Sequence, residues 1–292
     1  MRFLEAALER ALGKPRVRIE RASALSGGCI HEARHLVTSE GEFFAKWSGE
    51  GPPDIFVREA EGLETLGMTP GPLVIPHVLA ASERTGSEPA FLVLEYLSPA
   101  LSGRGLDHES LGRGLATLHR ARAPRFGFPS PNYCGSTKQD NRFCDSWPEF
   151  YRDRRLRPLV KTLADRGRCT SADRRAYDHL MDRLDDLLAT NAIPSLIHGD
   201  LWSGNVLWTE RGPGLVDPAC AYADREMEFG ITTLFGGLGP AAFASYEEAW
   251  PLPYGWRDRN PLYQLYHLLN HAVLFGGHYG AQARRIAGRY AG

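Results

Sequence analysis

The sequence predicts an α+β chain in two lobes, an antiparallel sheet with one main helix over residues 1–97 and a mainly helical lobe over residues 98–292. Three observations predict it. Segments rich in β-forming residues alternate with turn residues as far as residue 97. A single helical segment interrupts them, and after Ser98-Pro99 the apolar spacing becomes helical. The chain, at 292 residues, can bury the core that such an arrangement needs.

Taken in order, Leu4, Leu8 and Leu12 lie on one face of a short helix that Gly13 ends. Strands are expected over 17–25, 30–38, 42–47, 78–83 and 91–97. The interrupting helix, 55–66, carries Ile55, Phe56, Ala60, Leu63 and Leu66 on its apolar side. In the second half Leu111, Leu115 and Leu118 mark one helix face, and Tyr177, Leu180, Leu184 and Leu187 mark another. Helical spacing returns over 262–274, and residues 124–147 read as a long irregular loop.

Composition excludes several classes of function. Lys+Arg of 34 against Asp+Glu of 35 leaves a net charge of −1, so no basic field points to nucleic acid or a membrane surface. No apolar run reaches membrane-spanning length, and the opening residues do not form a signal peptide. The five cysteines form no Cys-x-x-Cys pair, which argues against a zinc site and for a reducing, cytoplasmic compartment.

The chemistry is concentrated in His198-Gly199-Asp200-Leu201-Trp202-Ser203-Gly204-Asn205 and Asp217-Pro218-Ala219. In a kinase catalytic loop an Asp precedes an Asn by five positions; the Asp takes the proton of the attacking hydroxyl and the Asn ligates Mg²⁺. Asp200 and Asn205 have that spacing, and Asp217 follows after a predicted hairpin whose turn is Arg211-Gly212-Pro213-Gly214. Two carboxylates and an amide make an oxygen-rich site suited to Mg²⁺.

Other parts of a phosphate site fall in place. Gly27 and Gly28 lie between the first two strands, where backbone N–H groups would reach phosphate oxygens, though a plain hairpin turn gives the same pair. Lys46 is the only lysine between Lys14 and Lys138 and sits in an apolar strand; the alternative is a surface lysine on an edge strand. Glu59 borders the buried face of the following helix and is its expected ion-pair partner, with Glu61 left solvated. The apolar strand ending in Glu95, Tyr96 and Leu97 runs into the lobe junction, where a kinase docks adenine on the backbone. His119 reads as a packed core histidine, and Asp224 and Glu226 as helix-capping or loop-tying acids.

With these residues in register the chain resembles the fructosamine-3-kinase, or ketosamine-3-kinase, family of the aminoglycoside-phosphotransferase-like kinases. Gly27-Gly28-Cys29-Ile30, the segment from His198 to Asn205, Asp217-Pro218-Ala219, Asp224-Arg225-Glu226, Leu234-Phe235-Gly236-Gly237 and the run from Tyr263 to His271 carry the resemblance. It departs at His31 and around Thr137-Lys138-Gln139-Asp140, which bears on substrate contacts. The resemblance implies a two-lobed protein-kinase-like fold using ATP and Mg²⁺. It implies transfer to the sugar 3-hydroxyl of a small-molecule or protein-bound ketosamine, after which the adduct breaks down and the amine is released. Asp200 would act as base, Asn205 and Asp217 would hold Mg²⁺, and Lys46 fixed by Glu59 would neutralise phosphates. Trp202 and His198 would lie at the substrate. Relatives use a cysteine at the position of Cys29 for redox control, so the expected state is a monomer or a dimer linked through Cys29. Another small-molecule kinase, acting on an aminoglycoside or choline, is the rival reading, but residues 124–150 are not strongly acidic. A pseudokinase scaffold would lack one of Lys46, Asp200, Asn205 or Asp217, and all four are present.

Overall fold

The computed structural model describes residues 1–25, 32–100, 106–188 and 191–290. Gly27, Gly28, Cys29 and His31 lie outside them. Helix α1, Arg2–Leu12, ends at Gly13, whose φ of 63° and N–H bond to the Glu9 carbonyl make the left-handed stop expected of glycine. Strands β1 (Ile19–Ala24), β2 (Glu32–Thr38), β3 (Gly41–Ser48), β4 (Val78–Ser82) and β5 (Ala90–Glu95) form one antiparallel sheet in the order β1-β2-β3-β5-β4. Helix α2, Ile55–Gly67, connects β3 to β4 and packs Phe56, Ala60 and Leu63 against Leu92 and Leu94 of β5.

The remaining chain is mostly helical. After α3 (His108–His119) comes a short hairpin, β6 (Asn132–Cys134) with β7 (Thr137–Gln139). Helix α4 (Trp147–Phe150) runs through a π-helical turn, Tyr151–Leu156, into α5 (Arg157–Asp165), followed by α6 (Ser171–Asp182) and α7 (Leu184–Leu187). Strand β8 (Ser195–Ile197), the hairpin of β9 (Val206–Thr209) and β10 (Gly212–Leu215), and β11 (Ala221–Ala223) carry the loops of interest. Helices α8 (Glu226–Phe235), α9 (Pro240–Ala249), α10 (Trp256–Leu274) and α11 (Tyr279–Tyr290) complete the chain. Among the described residues no helix is long and apolar enough to cross a membrane.

Three expectations change. The β9–β10 hairpin turns at Glu210-Arg211, because Thr209 pairs with Gly212; the turn is therefore two residues long and begins earlier than its glycines suggest. Residues 124–147 are ordered by buried amides instead of by regular pairing alone. Asn141 Nδ2 donates to the Asn132 side chain (2.8 Å) and to the Ser130 carbonyl (3.0 Å), and Arg155 donates to Asn141 (2.6 Å). The helix of residues 262–274 starts six residues sooner, and Pro261 lies within it; Trp256 packs on Phe229 and Phe243 and holds the turn ahead of the proline.

Helix α3 meets α9 through Gly112. A Cβ there would stand 2.0 Å from the Ala242 carbonyl oxygen, so only glycine allows the two backbones to approach so closely. Gly112→Ala should therefore force the helices apart and cost about 1–3 kcal/mol in urea unfolding. Gly49→Ala, with nothing within 4 Å of the added carbon, serves as control. Equal midpoints for the two variants would show that α3 and α9 can separate freely.

Candidate functional site

Lys46 lies on β3, between β2 and β5, so it is central in the sheet and not on an edge. Its side chain is buried, and Nζ sits 2.6 Å from Glu59 Oε2 and 2.5 Å from Asp217 Oδ1. Burial opposes the ammonium charge, but the Asp217 and Glu59 carboxylates outweigh it and raise the pKa of Lys46 above its ordinary value. Glu59 faces inward on α2 as its helical position predicts. Glu61 is not simply solvated: it accepts from Arg58 (2.7 Å) and from the Ser130 hydroxyl, tying α2 to the 124–147 segment.

Asp200 and Asn205 stand on the loop after β8, and Asp217 on the loop between β10 and β11. Asn205 Nδ2 donates to the Asp200 carbonyl (2.8 Å) and lies 3.5 Å from the Asp217 carbonyl. Its amide nitrogen is thus committed to the two loops, which leaves Oδ1 as the atom able to ligate a cation. Asp217 holds φ at 55°, a strained conformation for a residue with a side chain, and its carboxylate is half-exposed. Asp217 and Asn205 together offer hard oxygen donors that fit Mg²⁺. Burial raises the Asp200 carboxyl to about 7, helped by the nearby Asp217 and Glu228 carboxylates.

His198 has no exposed surface with which to touch a substrate. It is fully buried; Nε2 donates to the Val216 carbonyl (2.9 Å), and Nδ1 accepts from the Asp200 N–H (3.3 Å). Burial lowers its pKa, so the ring is neutral with its proton on Nε2, as those two bonds require. His198 is a clasp between the loops. Ala219 N–H donates to its carbonyl (2.9 Å), and Gly199 brings the backbones together where a Cβ would come within 2.2 Å of the Ala219 carbonyl oxygen.

Trp202 is half-buried, with its indole folded over Gly204, where an added Cβ would clash at 2.4 Å. Gly237 packs on its backbone, and Ser203 N–H donates to Gly236 (3.1 Å). At the junction the Glu95 carboxylate is engaged by the His77 N–H (3.2 Å) and Arg211 (2.9 Å), and Tyr96 stacks on His35 at 3.8 Å. Leu97 packs over Gly214 of β10. The structure thus brings Lys46, Glu59, Asp200, Asn205 and Asp217 together, and it places Glu95 to Leu97 where the sheet joins the hairpin.

Sequence reasoning missed Glu228. Its carboxylate, buried in α8, accepts from the His198 N–H (2.6 Å) and the Gly199 N–H (3.0 Å), and His119 Nε2 lies 3.5 Å away. The available signal was an acid inside the apolar run Met227 to Ile231. His119 is the packed core histidine expected, bonded through Nδ1 to the Tyr246 hydroxyl (2.9 Å). Asp224 accepts from the Glu226 N–H (3.0 Å) and the Tyr263 hydroxyl (2.7 Å), and Glu226 binds Arg259.

The family described as fructosamine kinase matches residues 2–291. A probable ketoamine kinase of Vibrio parahaemolyticus is 37% identical, covering 89% of this chain and 88% of its own. A chloroplastic protein-ribulosamine 3-kinase of Oryza sativa subsp. indica is 36% identical, covering 94% of this chain and 79% of its own. The crystal structure of a putative fructosamine-3-kinase from Thermobifida fusca superposes with a TM-score of 0.87 at 31% identity, covering 100% of this chain and 99% of that one. The fold is the protein-kinase-like one.

Glu228→Gln should cost about 1–3 kcal/mol, because an amide can accept only one of the two N–H bonds and leaves the other buried donor unpaired. Amide exchange at His198 and Gly199 should accelerate in step. Unchanged protection there would mean that the carboxylate does not hold the loop.

Proposed function

The chain belongs to the fructosamine kinase family, and we propose that it transfers the γ-phosphate of ATP to the 3-hydroxyl of a ketosamine, the adduct of a sugar on an amine. The observation that carries this reading is the meeting of Lys46, Glu59 and Asp217 at 2.5–2.6 Å beside Asp200 and Asn205. Four separate segments deliver these groups, and a phosphate-transfer site needs this set.

Residues 1–97 act as the nucleotide lobe and 98–292 as the acceptor lobe, with adenine against the backbone of Glu95, Tyr96 and Leu97; Gly27 and Gly28, outside the described residues, are the candidate phosphate-binding glycines. Lys46, oriented by Glu59, presents its charge to phosphate oxygens. Asn205 and Asp217 hold Mg²⁺, which when bound neutralises charge developing on the transferred group. The Asp200 carboxylate accepts the proton of the sugar hydroxyl. That oxygen bonds to the γ-phosphorus, and the bond to the bridging oxygen breaks, with its electron pair leaving on ADP. The 3-phosphate destabilises the adduct, and the amine is released. Trp202 lays its aromatic face beside the apolar side of the sugar. His198 orients the loop from below, because its burial removes it from substrate contact. Ribulosamines and erythrulosamines are preferred to fructosamines, free or protein-bound. The enzyme works in the cytoplasm as a monomer or as a dimer linked through Cys29; the four described cysteines are free thiols.

Asp200→Asn should lower turnover by about 10²-fold or more while Mg·ATP still binds, since an amide cannot take the proton. In the wild type, kcat/KM for the acceptor should rise with pH through about 7 and then level, because the base is active only when ionised. A flat profile across that value would remove Asp200 as the base.

Trp202→Ala should raise KM for the ketosamine far more than KM for ATP, because only the sugar loses its platform. Steady-state kinetics on both substrates, with NMR to locate the new phosphate, tests this. Activity on an aminoglycoside with none on any ketosamine would favour the rival kinase reading.

A further inference from the structure

Asp200 has neighbours that the phosphate chemistry does not use. Cys134 at the end of β6, His267 on α10 and Asp200 each bring one donor atom into a group whose members all lie within 4.8 Å of one another. We propose that these three residues form a site for a thiophilic divalent cation, zinc above all, and that its occupancy withdraws Asp200 from catalysis. The inhibitory half rests on Asp200 being the base; the binding half does not.

The surroundings are built for such an ion. Cys134 is 3% exposed and His267 1%, so neither donor is a casual surface group. Among the described residues His267 Nδ1 has no hydrogen-bond partner despite its burial, and neither has Asn270 Oδ1. An unpaired buried polar atom is costly unless something fills the gap. Asn270 Nδ2 lies 3.2 Å from Cys134 Sγ and donates to it, which is the support a metal-bound thiolate receives from its outer neighbours. Zinc bonds of about 2.0–2.3 Å place tetrahedral donors roughly 3–4 Å apart, so small side-chain rotations close the group on an ion.

The donor set also separates this site from the magnesium site. Sulfur, imidazole and one carboxylate select zinc or cobalt, whereas Asn205 and Asp217 offer only oxygen. Asp200 is the least buried of the three, so the ion would reach the group past Asp200. On binding, the Cys134 thiol loses its proton to solvent and the sulfur forms the metal bond; no electrons change hands. Burial and the Asp200 charge otherwise keep that thiol protonated.

Cobalt titration of the full, reduced chain tests the site without relying on activity. We expect one thiolate-to-cobalt charge-transfer band at one equivalent. It should disappear in Cys134→Ser, weaken by about tenfold or more in affinity in His267→Gln, and persist in Cys144→Ser. Absence of the band in the wild type, its survival in Cys134→Ser, or unchanged affinity in His267→Gln overturns the site. In zinc-buffered assays at saturating Mg·ATP, wild-type turnover should fall about tenfold or more, with Cys134→Ser requiring at least about tenfold more free zinc. A band without inhibition would remove Asp200 from the site. A failure of the kinase reading itself would show differently, as Asp200→Asn retaining full turnover.

Discussion

A single buried ammonium constrains the arrangement. Lys46 sits in the middle of the sheet, where an unpaired charge would cost several kcal/mol. It is tolerated because two carboxylates reach it from different directions, Glu59 from α2 and Asp217 from the loop after β10. The sheet, the helix and the loop are therefore not independently placed. Moving the strand would leave two carboxylates facing each other, and moving the helix would leave the buried Glu59 carboxylate without its ammonium, a loss worth about 3–5 kcal/mol for one partner of a buried pair. The Lys46 ammonium also lies 5.5 Å from the Phe56 ring, so the apolar face of α2 and its charged face act on the same atom.

Asp217 is the point where this constraint meets a second one. Its left-handed backbone, of a kind that costs on the order of 1–3 kcal/mol, persists only because its flanks are held. Val216 is held by His198 Nε2, and Ala219 by the His198 carbonyl. His198 and Gly199 are in turn held by the Glu228 carboxylate through their N–H groups. The strain at one carboxylate is thus sustained by a buried chain of bonds that ends in the helical core. A neutral His198 is required, since a second ring proton would face the Asp200 N–H, and burial supplies that neutrality.

What could be read from the sequence follows from where periodicity and spacing carry information. The five-residue interval from Asp200 to Asn205 and the apolar neighbours of Lys46 are local facts, and both led to the assembled site. Glu59 was distinguished from Glu61 by its helix face, although Glu61 proved to be bound to Arg58 and Ser130 because a distant segment folds over it. Glu228 showed only as an acid inside an apolar run, and its role was not legible, since its partners are backbone N–H groups 29 and 30 residues away. Residues 124–147 looked irregular for the same reason: Asn132 and Asn141 order them through side-chain amides that pair with non-repeating partners. His198 could be placed in the loop by its position, but which way the ring turns depends on the Val216 carbonyl, 18 residues on.

The ordering of residues 124–147 bears on how the site is set. Tyr133 donates to Asp54 at the start of α2 (2.6 Å), and Ser130 donates to Glu61 about two turns further along. On the same helix Gly62 is so close to the loop after Asp217 that an added Cβ would lie 3.2 Å from Pro218, and Cys220 Sγ lies 3.6 Å from its carbonyl. In kinases whose activity is switched by moving the equivalent helix, the lysine–glutamate pair forms only in the active state. Here that helix is fastened to the other half of the chain at three places along its length. Glu59 is consequently carried on a helix that cannot swing without breaking contacts remote from Lys46, and the charge triplet is formed in the chain alone. Control exerted through that helix would first have to break those contacts.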